Sequence, residues 1–203
     1  MNKIWKSASI CILLTIFVWF ASVLTDRKAL TEDIIRLHVV ANSDSDEDQA
    51  IKLQVKDAVV AKLESTMQSF SSVDEAKAYL QAQQQNLEMV ANNVLEELGS
   101  NDKASVFLTQ ECFDTREYET FSLPAGVYES LRITIGQGQG RNWWCVVFPT
   151  LCAGATTEEF ADTAVGSGFD NALTGALERE KTYQVRFFFL DCLGRIQNFF
   201  YKS

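Results

Sequence analysis

The 203-residue chain carries 18 basic and 27 acidic side chains and one histidine, which gives a formal net charge of −9. This acidic balance excludes non-specific nucleic-acid binding, which requires a basic face that displaces counterions from phosphates. A single histidine also excludes a metal site built from several imidazoles. With 47% hydrophobic residues, the chain is apolar enough to bury a core. We therefore expect a folded protein with no nucleic-acid partner and no cofactor.

The amino terminus is the most apolar part of the chain. Lys3 and Lys6 precede a hydrophobic run at 8–24. A basic segment followed by such a run is typical of a secretory signal peptide or a signal anchor. The positive-inside rule keeps the two lysines in the cytoplasm and places the rest of the chain outside. We predict that residues 1–28 are a signal peptide or membrane anchor and that residues 29–203 form one exported domain.

The sequence leaves the cleavage of this segment open. A run of 17 residues is long for a cleaved signal and short for a membrane span. The Ala21-Ser22-Val23 stretch is a poor cleavage site, because a branched residue stands where a small one is preferred. The exported protein is therefore expected either to be secreted or to stay tethered by this segment.

Export changes the interpretation of the cysteines, because disulfides persist outside the cytoplasm. Four cysteines follow the apolar run: Cys112, Cys145, Cys152 and Cys192. Cys145 and Cys152 are close in sequence, and Pro149 between them favours a bend, so we predict that they form a disulfide. The other two either form a second bridge or remain free, buried cysteines.

The first half of the exported part predicts one strand and two helices. Residues 33–41 alternate as a half-buried β-strand does. An amphipathic helix follows, with Asp44 and Glu47 as its capping box. A second amphipathic helix begins at Ser72 and ends at Gly99. We expect the two helices to form an αα-hairpin that covers one face of a sheet.

The second half of the chain predicts mainly strands. They are expected at 104–111, 115–121, 126–135, 142–148, 184–190 and 195–201. A long acidic loop at about 153–182 precedes the last two. One strand, two helices and a run of strands is an α+β pattern. We predict an α+β fold with an αα-hairpin packed on a mostly antiparallel, mixed β-sheet.

Two motifs that suggest ligand binding do not meet the requirements of their templates. Three aspartates alternate at 44–48 as calcium ligands would, but the glycine and glutamate that an EF-hand loop requires further on are missing. Three glycines alternate at 136–140, but the segment leads into a strand and not into a helix, as a phosphate loop must. It predicts a hairpin turn between two strands.

A Cys-His hydrolase of the cell envelope is the alternative function. It would use His38 with Cys145 or Cys152. Nucleophilic cysteines usually lie at an exposed helix start, which lowers the pKa of the thiol, whereas Cys145 lies inside a predicted strand. The sequence therefore offers no catalytic residue, and we expect that the protein is not an enzyme.

Polar side chains interrupt the apolar alternation of several predicted strands. They are Arg36, His38, Tyr128, Arg132, Thr134 and Arg186. If they share one sheet face, they form a basic patch that suits an anionic partner. The other interpretation is internal ion pairing with Glu129, Asp191 or helix carboxylates, and the sequence leaves both open.

Two adjacent tryptophans complete a candidate binding surface. Trp143 and Trp144 lie next to each other in a predicted strand, so their rings leave opposite faces of the sheet. One can enter the core, and the other is available as an interface anchor. Gln137 and Arg141 lie at the tip of the glycine-rich turn before them. We predict a partner-binding surface that consists of Arg132, Gln137, Arg141, Trp143 and Trp144.

Three stretches resemble a known family. They are IRLHVVANSDSDEDQAIKLQVKDAV at 35–59, LPAGVYESLRITIGQGQGRNWWCVVFPTLC at 123–152 and VRFFFLD at 185–191. Together with the export segment they resemble the stage II sporulation protein R family, over nearly all of residues 33–200. The segments around ANSDS and NWWCVVFPTLC are the specific part of this likeness.

The resemblance implies a signalling protein of endospore formation. Such a protein is made in the forespore and exported into the space between the two sporulation membranes. There it acts on a membrane-embedded aspartyl protease of the mother cell, of the stage II sporulation protein GA type. That protease then cleaves the precursor of sigma-E. The expected function is therefore that of an exported ligand that activates a protease by binding.

Overall fold

The computed structural model describes the backbone of residues 2–118, 121–150, 177 and 185–202, and the side chains of all of these except 2–4 and 185. Most of the predicted 153–182 loop lies outside them. In chain order, the elements with described bounds are α1 (Asn2–Glu32), β1 (Ile35–Val40), α2 (Asp46–Met67), α3 (Val73–Glu97), β2 (Ala104–Phe113), β3 (Arg116–Glu117), β4 (Ser122–Leu123), β5 (Gly126–Ile135), β6 (Asn142–Phe148) and α4 (Val185–Lys202).

A mixed four-stranded sheet forms the centre of the fold. Its strand order is β2-β5-β1-β6. β1 is parallel to β5 and antiparallel to β6, while β2 is antiparallel to β5. The α+β class that the sequence predicts is therefore confirmed. Of the strand predicted at 115–121, β3 covers residues 116 and 117 and pairs with β4 in a separate ribbon, while residues 119 and 120 lie outside the described residues.

The first face of the sheet is covered by α2 and α3. Alternate side chains of the strands meet the apolar stripes of both helices there, as the two periodicities require. The main core consists of Leu37, Val39, Val106, Leu131, Ile133, Val55, Val59, Leu63, Leu80, Leu87 and their neighbours. Each aliphatic side chain fully buried in this way stabilises the fold by about 1.5–3 kcal/mol relative to its exposed state. This layer is the larger of the two cores.

The N-cap residue of helix α2 lies one residue later in the chain than predicted. Ser45 is the N-cap residue, and its hydroxyl accepts a hydrogen bond from the Asp48 amide at 3.1 Å. Asp44 instead accepts a hydrogen bond from the backbone amide of Arg141 at 2.6 Å. The prediction of Asp44 as the cap is therefore wrong by one residue, because the Asp44 side chain accepts a long-range hydrogen bond and the Ser45 side chain caps the helix.

Helix α3 begins and ends where the sequence predicts. The Ser72 hydroxyl accepts a hydrogen bond from the Glu75 amide at 3.4 Å. Glu75 in turn accepts a hydrogen bond from the Ser71 amide at 3.0 Å. Gly99 follows the helix with φ of 71°, the left-handed conformation that favours glycine after a helix.

The second face of the sheet is covered in part by α1 and α4. This smaller core contains Val23, Leu30, Ile34, Phe113, Tyr128, Val146, Leu177 and Leu190. Arg27 donates a hydrogen bond to the Leu190 carbonyl at 3.1 Å and Arg186 to the Ser22 hydroxyl at 3.0 Å. These contacts attach the second half of α1 to the domain.

Helix α1 is long and apolar enough over Trp5–Glu32 to cross a membrane, by length and composition. Its first part exposes large hydrophobic side chains such as Leu13 and Phe17. An N-terminal apolar helix of this kind is compatible with the predicted signal or anchor. The helix continues without a break past residue 28, and Leu30 is buried in the domain.

Strands β5 and β6 do not form a hairpin, contrary to the prediction. β1 lies between them, so the glycine-rich segment at 136–141 passes over the carboxyl end of β1. The Gly140 amide donates to the Ala41 carbonyl at 2.9 Å. A Cβ on Gly140 would stand 2.1 Å from the carbonyl oxygen of Ser43. The glycine is required because two backbone segments of this chain approach each other there.

The strands predicted at 184–190 and 195–201 are wrong, because this segment is the single helix α4. Every fourth residue from 190 to 198 is buried, which is the period of a helix face. Gly194 lies in the break that the sequence predicts between these two strands. In the structure it is inside the helix, where a Cβ would stand 1.6 Å from the Ala125 carbonyl oxygen. Close packing of the helix on the residue before β5 therefore explains this glycine.

The cysteines agree with only part of the expectation. Cys145 is disulfide-bonded, while Cys152 lies outside the described residues, so their pairing stays a prediction. Cys112 and Cys192 are free cysteines and do not form the second bridge. Cys192 is exposed and Cys112 only partly buried, so neither is the buried apolar cysteine of the other interpretation.

Candidate partner-binding surface

The part of the second sheet face that α1 and α4 leave uncovered carries a network of polar and aromatic side chains. His38 of β1 is in register with Arg132 of β5 and with Trp144 of β6. Glu111 of β2 and Asn142 of β6 point to the same face, because side chains alternate along each strand. We refer to these five residues as the His38 network.

Glu111 joins the two basic side chains of the network. Its carboxylate accepts a hydrogen bond from Nη1 of Arg132 at 2.6 Å. Nδ1 of His38 lies 3.1 Å from the same carboxylate, and Nε2 lies 2.9 Å from Oδ1 of Asn142. Both nitrogens of the imidazole are therefore engaged, which fixes the orientation of the ring.

The pKa of Glu111 reflects this environment. Burial by itself raises the pKa of this carboxyl, but the hydrogen bond and charge of His38 and the guanidinium of Arg132 lower it to about 2. Glu111 is therefore ionised at neutral pH. It balances the positive charge that the sequence assigned to a basic patch, so much of the patch is an internal ion network.

The other members of the predicted basic patch are paired elsewhere or buried. Arg186 lies on α4 and pairs with Asp26. Arg36 is fully buried, with its guanidinium 3.9 Å from the ring centroid of Phe113. Its Nη2 donates to the Tyr118 hydroxyl at 2.8 Å, while Nε and Nη1 have no hydrogen-bond partner in the described part of the chain. These two arginines are therefore structural.

The Trp144 ring contacts a guanidinium and an imidazole. The guanidinium carbon of Arg116 lies 3.6 Å from its ring centroid. The His38 imidazole stacks on it with ring centroids 5.7 Å apart and an interplanar angle of 19°. Stacking of this kind contributes about 0.5–2 kcal/mol and restricts the side chain to one orientation. Trp144 is thus a half-buried, preorganised aromatic surface.

Trp143 points to the opposite face of the sheet, as the strand alternation predicts. Nζ of Lys56 lies 4.9 Å from its ring centroid, and the side chain is 37% exposed. Trp143 therefore lies at the rim of the helical layer.

Gln137 and Arg141 lie at the end of the sheet, beside the ANSDS segment. The backbone amide of Gln137 donates to Oδ1 of Asn42 at 2.9 Å, and its side chain is exposed. Arg141 is exposed, with its Nε 3.7 Å from a carboxylate oxygen of Asp44. The structure thus brings Arg132 and Trp144 together, places these two residues at a neighbouring edge, and separates Trp143 from them.

The carboxylate that organises this face could not be predicted from the sequence. Glu111 and Arg116 carry no motif, and only the tertiary structure brings Glu111 to His38 and Arg116, from the separate β3–β4 ribbon, to Trp144. Phe107 was missed too; it is opposite Arg132 in the β2–β5 register and exposed. The only local indication of this surface is that strand β2 carries the exposed aromatic Phe107 four positions before the charged Glu111, so that both side chains lie on one face.

The geometry does not bring together His38 and Cys145, one of the two Cys-His pairs of the alternative function; the other cysteine, Cys152, lies outside the described residues. Cys145 is opposite Leu37 in the β1–β6 register and belongs to the core under α2 and α3. His38 projects from the other face of the sheet. Among the described residues there is also no group of three or more His, Cys, Asp or Glu side chains that could hold a metal ion.

A family model described as Stage II sporulation protein R (spore_II_R) matches residues 31–158 of this chain. Stage II sporulation protein R of Bacillus subtilis (strain 168) is 37% identical over 123 residues, which are 61% of this chain and 55% of that protein. No solved structure matches the chain. The chain is thus a sporulation protein by its relationship. It belongs to the stage II sporulation protein R family.

The matched range contains all strands of the sheet and the whole His38 network. It is shorter than the likeness expected from the sequence, because VRFFFLD at 185–191 lies outside it. The match spans about half the length of the Bacillus subtilis protein. A role in sporulation follows from the family, and an N-terminal apolar helix is consistent with export.

Proposed function

We propose that this chain is an exported signal of endospore formation that activates a membrane-embedded aspartyl protease by binding it. In this proposal the forespore exports the protein into the space between the two sporulation membranes, where it is released or stays tethered by α1. The target is a mother-cell protease of the stage II sporulation protein GA type. The activated protease then cleaves the sigma-E precursor.

The observation that supports a binding role is the exposed, preorganised part of the His38 network. Arg132 keeps 38% of its side chain exposed although Glu111 holds its guanidinium in place. Trp144 is held in place by its contacts with Arg116 and His38. Side chains that are ordered before binding lose little conformational entropy on complex formation. Arginine and tryptophan are also the residues most often found at the energetic centre of interfaces.

In this proposal the protein acts by binding its partner and does not catalyse a reaction itself. The described residues place no nucleophile within hydrogen-bonding distance of His38, whose two ring nitrogens face Glu111 and Asn142. This arrangement orients a binding surface. It does not provide a general base that is open to a substrate.

Substitutions on the two faces of the sheet test the proposal in sporulating cells. We expect Arg132→Ala and Trp144→Ala to weaken binding about thirtyfold each and to reduce processing of the sigma-E precursor. Lys77→Ala is the matched control, because Lys77 forms a comparable ion pair with Glu129 at 2.7 Å on the face under the helices. Processing is followed by immunoblot at equal protein levels.

Variants at the edge of the sheet locate the surface more narrowly. Arg141→Ala and Trp143→Ala change exposed residues outside the His38 network. If only these two reduce processing, the contact surface lies at the edge and the helical rim. If all four variants process normally while remaining folded, the predicted surface does not bind the protease.

A further inference from the structure

Helix α4 has apolar side chains on the face opposite the core as well as on its buried face. The buried face consists of Leu190, Gly194 and Asn198. Cys192, Ile196 and Phe200 lie two residues further along in each case, which is about 200° around the helix. These three side chains are exposed, Ile196 by 50% and Phe200 by 72%. We call them the α4 stripe.

The orientation of the stripe is fixed by the contacts of the buried face. Nδ2 of Asn198 donates to the Phe113 carbonyl at 2.8 Å in a buried position. Gly194 packs directly on the Ala125 carbonyl, where a side chain would clash. The helix therefore cannot roll to bury Ile196 and Phe200. An isolated water-soluble domain would carry polar residues at these positions.

The α4 helix contacts α1 at the end of the apolar run of α1. The Trp19 and Phe189 rings meet edge to face at 5.1 Å, and Phe189 meets Phe188 at 5.6 Å. Arg186 donates to the Ser22 hydroxyl at 3.0 Å. When α1 spans a membrane, tryptophans near its end lie at the boundary between lipid and water. The start of α4 is thus held at the level of the lipid headgroups.

We propose that the α4 stripe lies in the interface of the bilayer that α1 spans, so that the domain rests on the membrane surface. Helices with an apolar, aromatic face bind membranes in this way and bury that face at the boundary of headgroups and acyl chains. The stripe continues the apolar surface of α1 through Trp19, Phe189 and Phe188. Lys202 follows Phe200 at the end of the helix and suits anionic headgroups.

This contact would restrict the orientation of the domain on the membrane. A domain held only by α1 can tilt together with that helix in the bilayer, whereas a second contact through α4 fixes one side of the domain to the membrane surface. A partner embedded in an opposing membrane would then meet a defined surface.

The test uses the full chain in vesicles of phosphatidylcholine and phosphatidylglycerol. In a Cys11→Ser, Cys112→Ser background, the natural Cys192 is labelled with an environment-sensitive fluorophore, so that α4 itself is unchanged. In a second protein Cys192 is also replaced by serine, and the label is attached at Ile196→Cys. The control protein has the same Cys192→Ser replacement and carries the label at Met89→Cys on α3, where the side chain is 59% exposed on the far side of the domain.

We expect lipids with a doxyl quencher on the acyl chain to lower the fluorescence at both α4 positions at least about twofold and to leave position 89 unchanged. Aqueous iodide should quench position 89 and spare the α4 positions. Quenching of both α4 positions by iodide, as at position 89, would overturn the proposal. Protection from both quenchers would also overturn it, because a protein then covers the stripe.

Discussion

At the scale of single residues, Glu111 is the side chain on which the candidate surface depends. Its single carboxylate binds two basic partners, His38 and Arg132, and its side chain is largely buried. Arg132 remains half-exposed because the carboxylate is largely buried beneath it. The same residue therefore stabilises the sheet and holds Arg132 at the surface, next to the largely buried His38 that stacks on Trp144.

The low pKa of Glu111 makes the stability of the fold sensitive to acid. Its pKa of about 2 in the folded state lies below the ordinary value of 4.5, so ionisation stabilises the fold above pH 4.5. This contribution of about 3 kcal/mol is lost as the pH falls through the folded pKa. We expect the free energy of unfolding in urea to fall for both proteins between about pH 5 and pH 2. The fall should be larger by about this amount for the natural chain than for Glu111→Gln.

The difference between the two proteins is the quantity to measure, because the pKa values of Asp48 and Asp191 are also lowered and contribute to both curves. The hydrogen bond from Ser43 is the largest cause of the low pKa of Asp48. Burial raises the pKa of Asp191, but the hydrogen bonds from the Ala125 amide, Thr115 and Arg195 together outweigh it. Parallel curves for the natural chain and Glu111→Gln would show that the network around Glu111 does not stabilise the fold.

At the scale of elements, two glycines show how closely backbones approach in this fold. Gly140 lies against Ser43 and Gly194 against Ala125. Each glycine allows one element to lie on another: the 136–141 segment on the end of β1, and α4 on the segment before β5. Both glycines suggested turns in the sequence, because glycine in a local pattern cannot distinguish a turn from a close contact.

The packing of α4 predicts the effect of a single methyl group. We expect Gly194→Ala to lower the free energy of unfolding by about 1–3 kcal/mol, because the added Cβ would stand 1.6 Å from a backbone oxygen that cannot move aside. This outcome is opposite to the gain of about 1 kcal/mol that alanine gives in an unconstrained helix. Urea unfolding followed by circular dichroism measures the change.

Cys192→Ala on the exposed face of the same helix is the control, and we expect it to change the free energy of unfolding by less than about 0.5 kcal/mol. A Gly194→Ala protein as stable as this control would contradict the close packing of α4 on Ala125.

At the scale of the whole molecule, α1 belongs to two environments. Its first part is apolar and exposed, while Val23, Asp26 and Leu30 are buried against the domain. A signal or anchor is usually separate from the domain that follows it. Here the helix continues into the second core, so loss of the export segment also affects the fold.

Shortened chains measure this contribution. We predict that residues 29–203 still fold as one domain, because the larger core under α2 and α3 remains complete. We expect a chain that begins at residue 21 to be more stable by about 3 kcal/mol, since it keeps the buried Val23 and the partner of Arg186, Asp26. Equal unfolding midpoints for the two chains would show that the second half of α1 does not pack on the domain in solution.

The local sequence was sufficient to predict the elements that depend only on neighbouring residues. The strands at 126–135 and 142–148 have the predicted bounds, α3 begins at its predicted cap, and the α+β class follows from their order. Each of these features depends on side-chain period or capping within a few residues. The apolar helix at the amino terminus and the family resemblance were equally visible in the sequence.

Only the tertiary structure decided how these elements combine. In it β1 lies between β5 and β6, the segment of the two predicted C-terminal strands is helix α4, and Glu111 contacts His38 and Arg132. The physical reason is the same in each case. Strand order, helix docking and ion pairing are set by contacts between segments that are distant in the chain, and these contacts leave no period or motif in either segment alone.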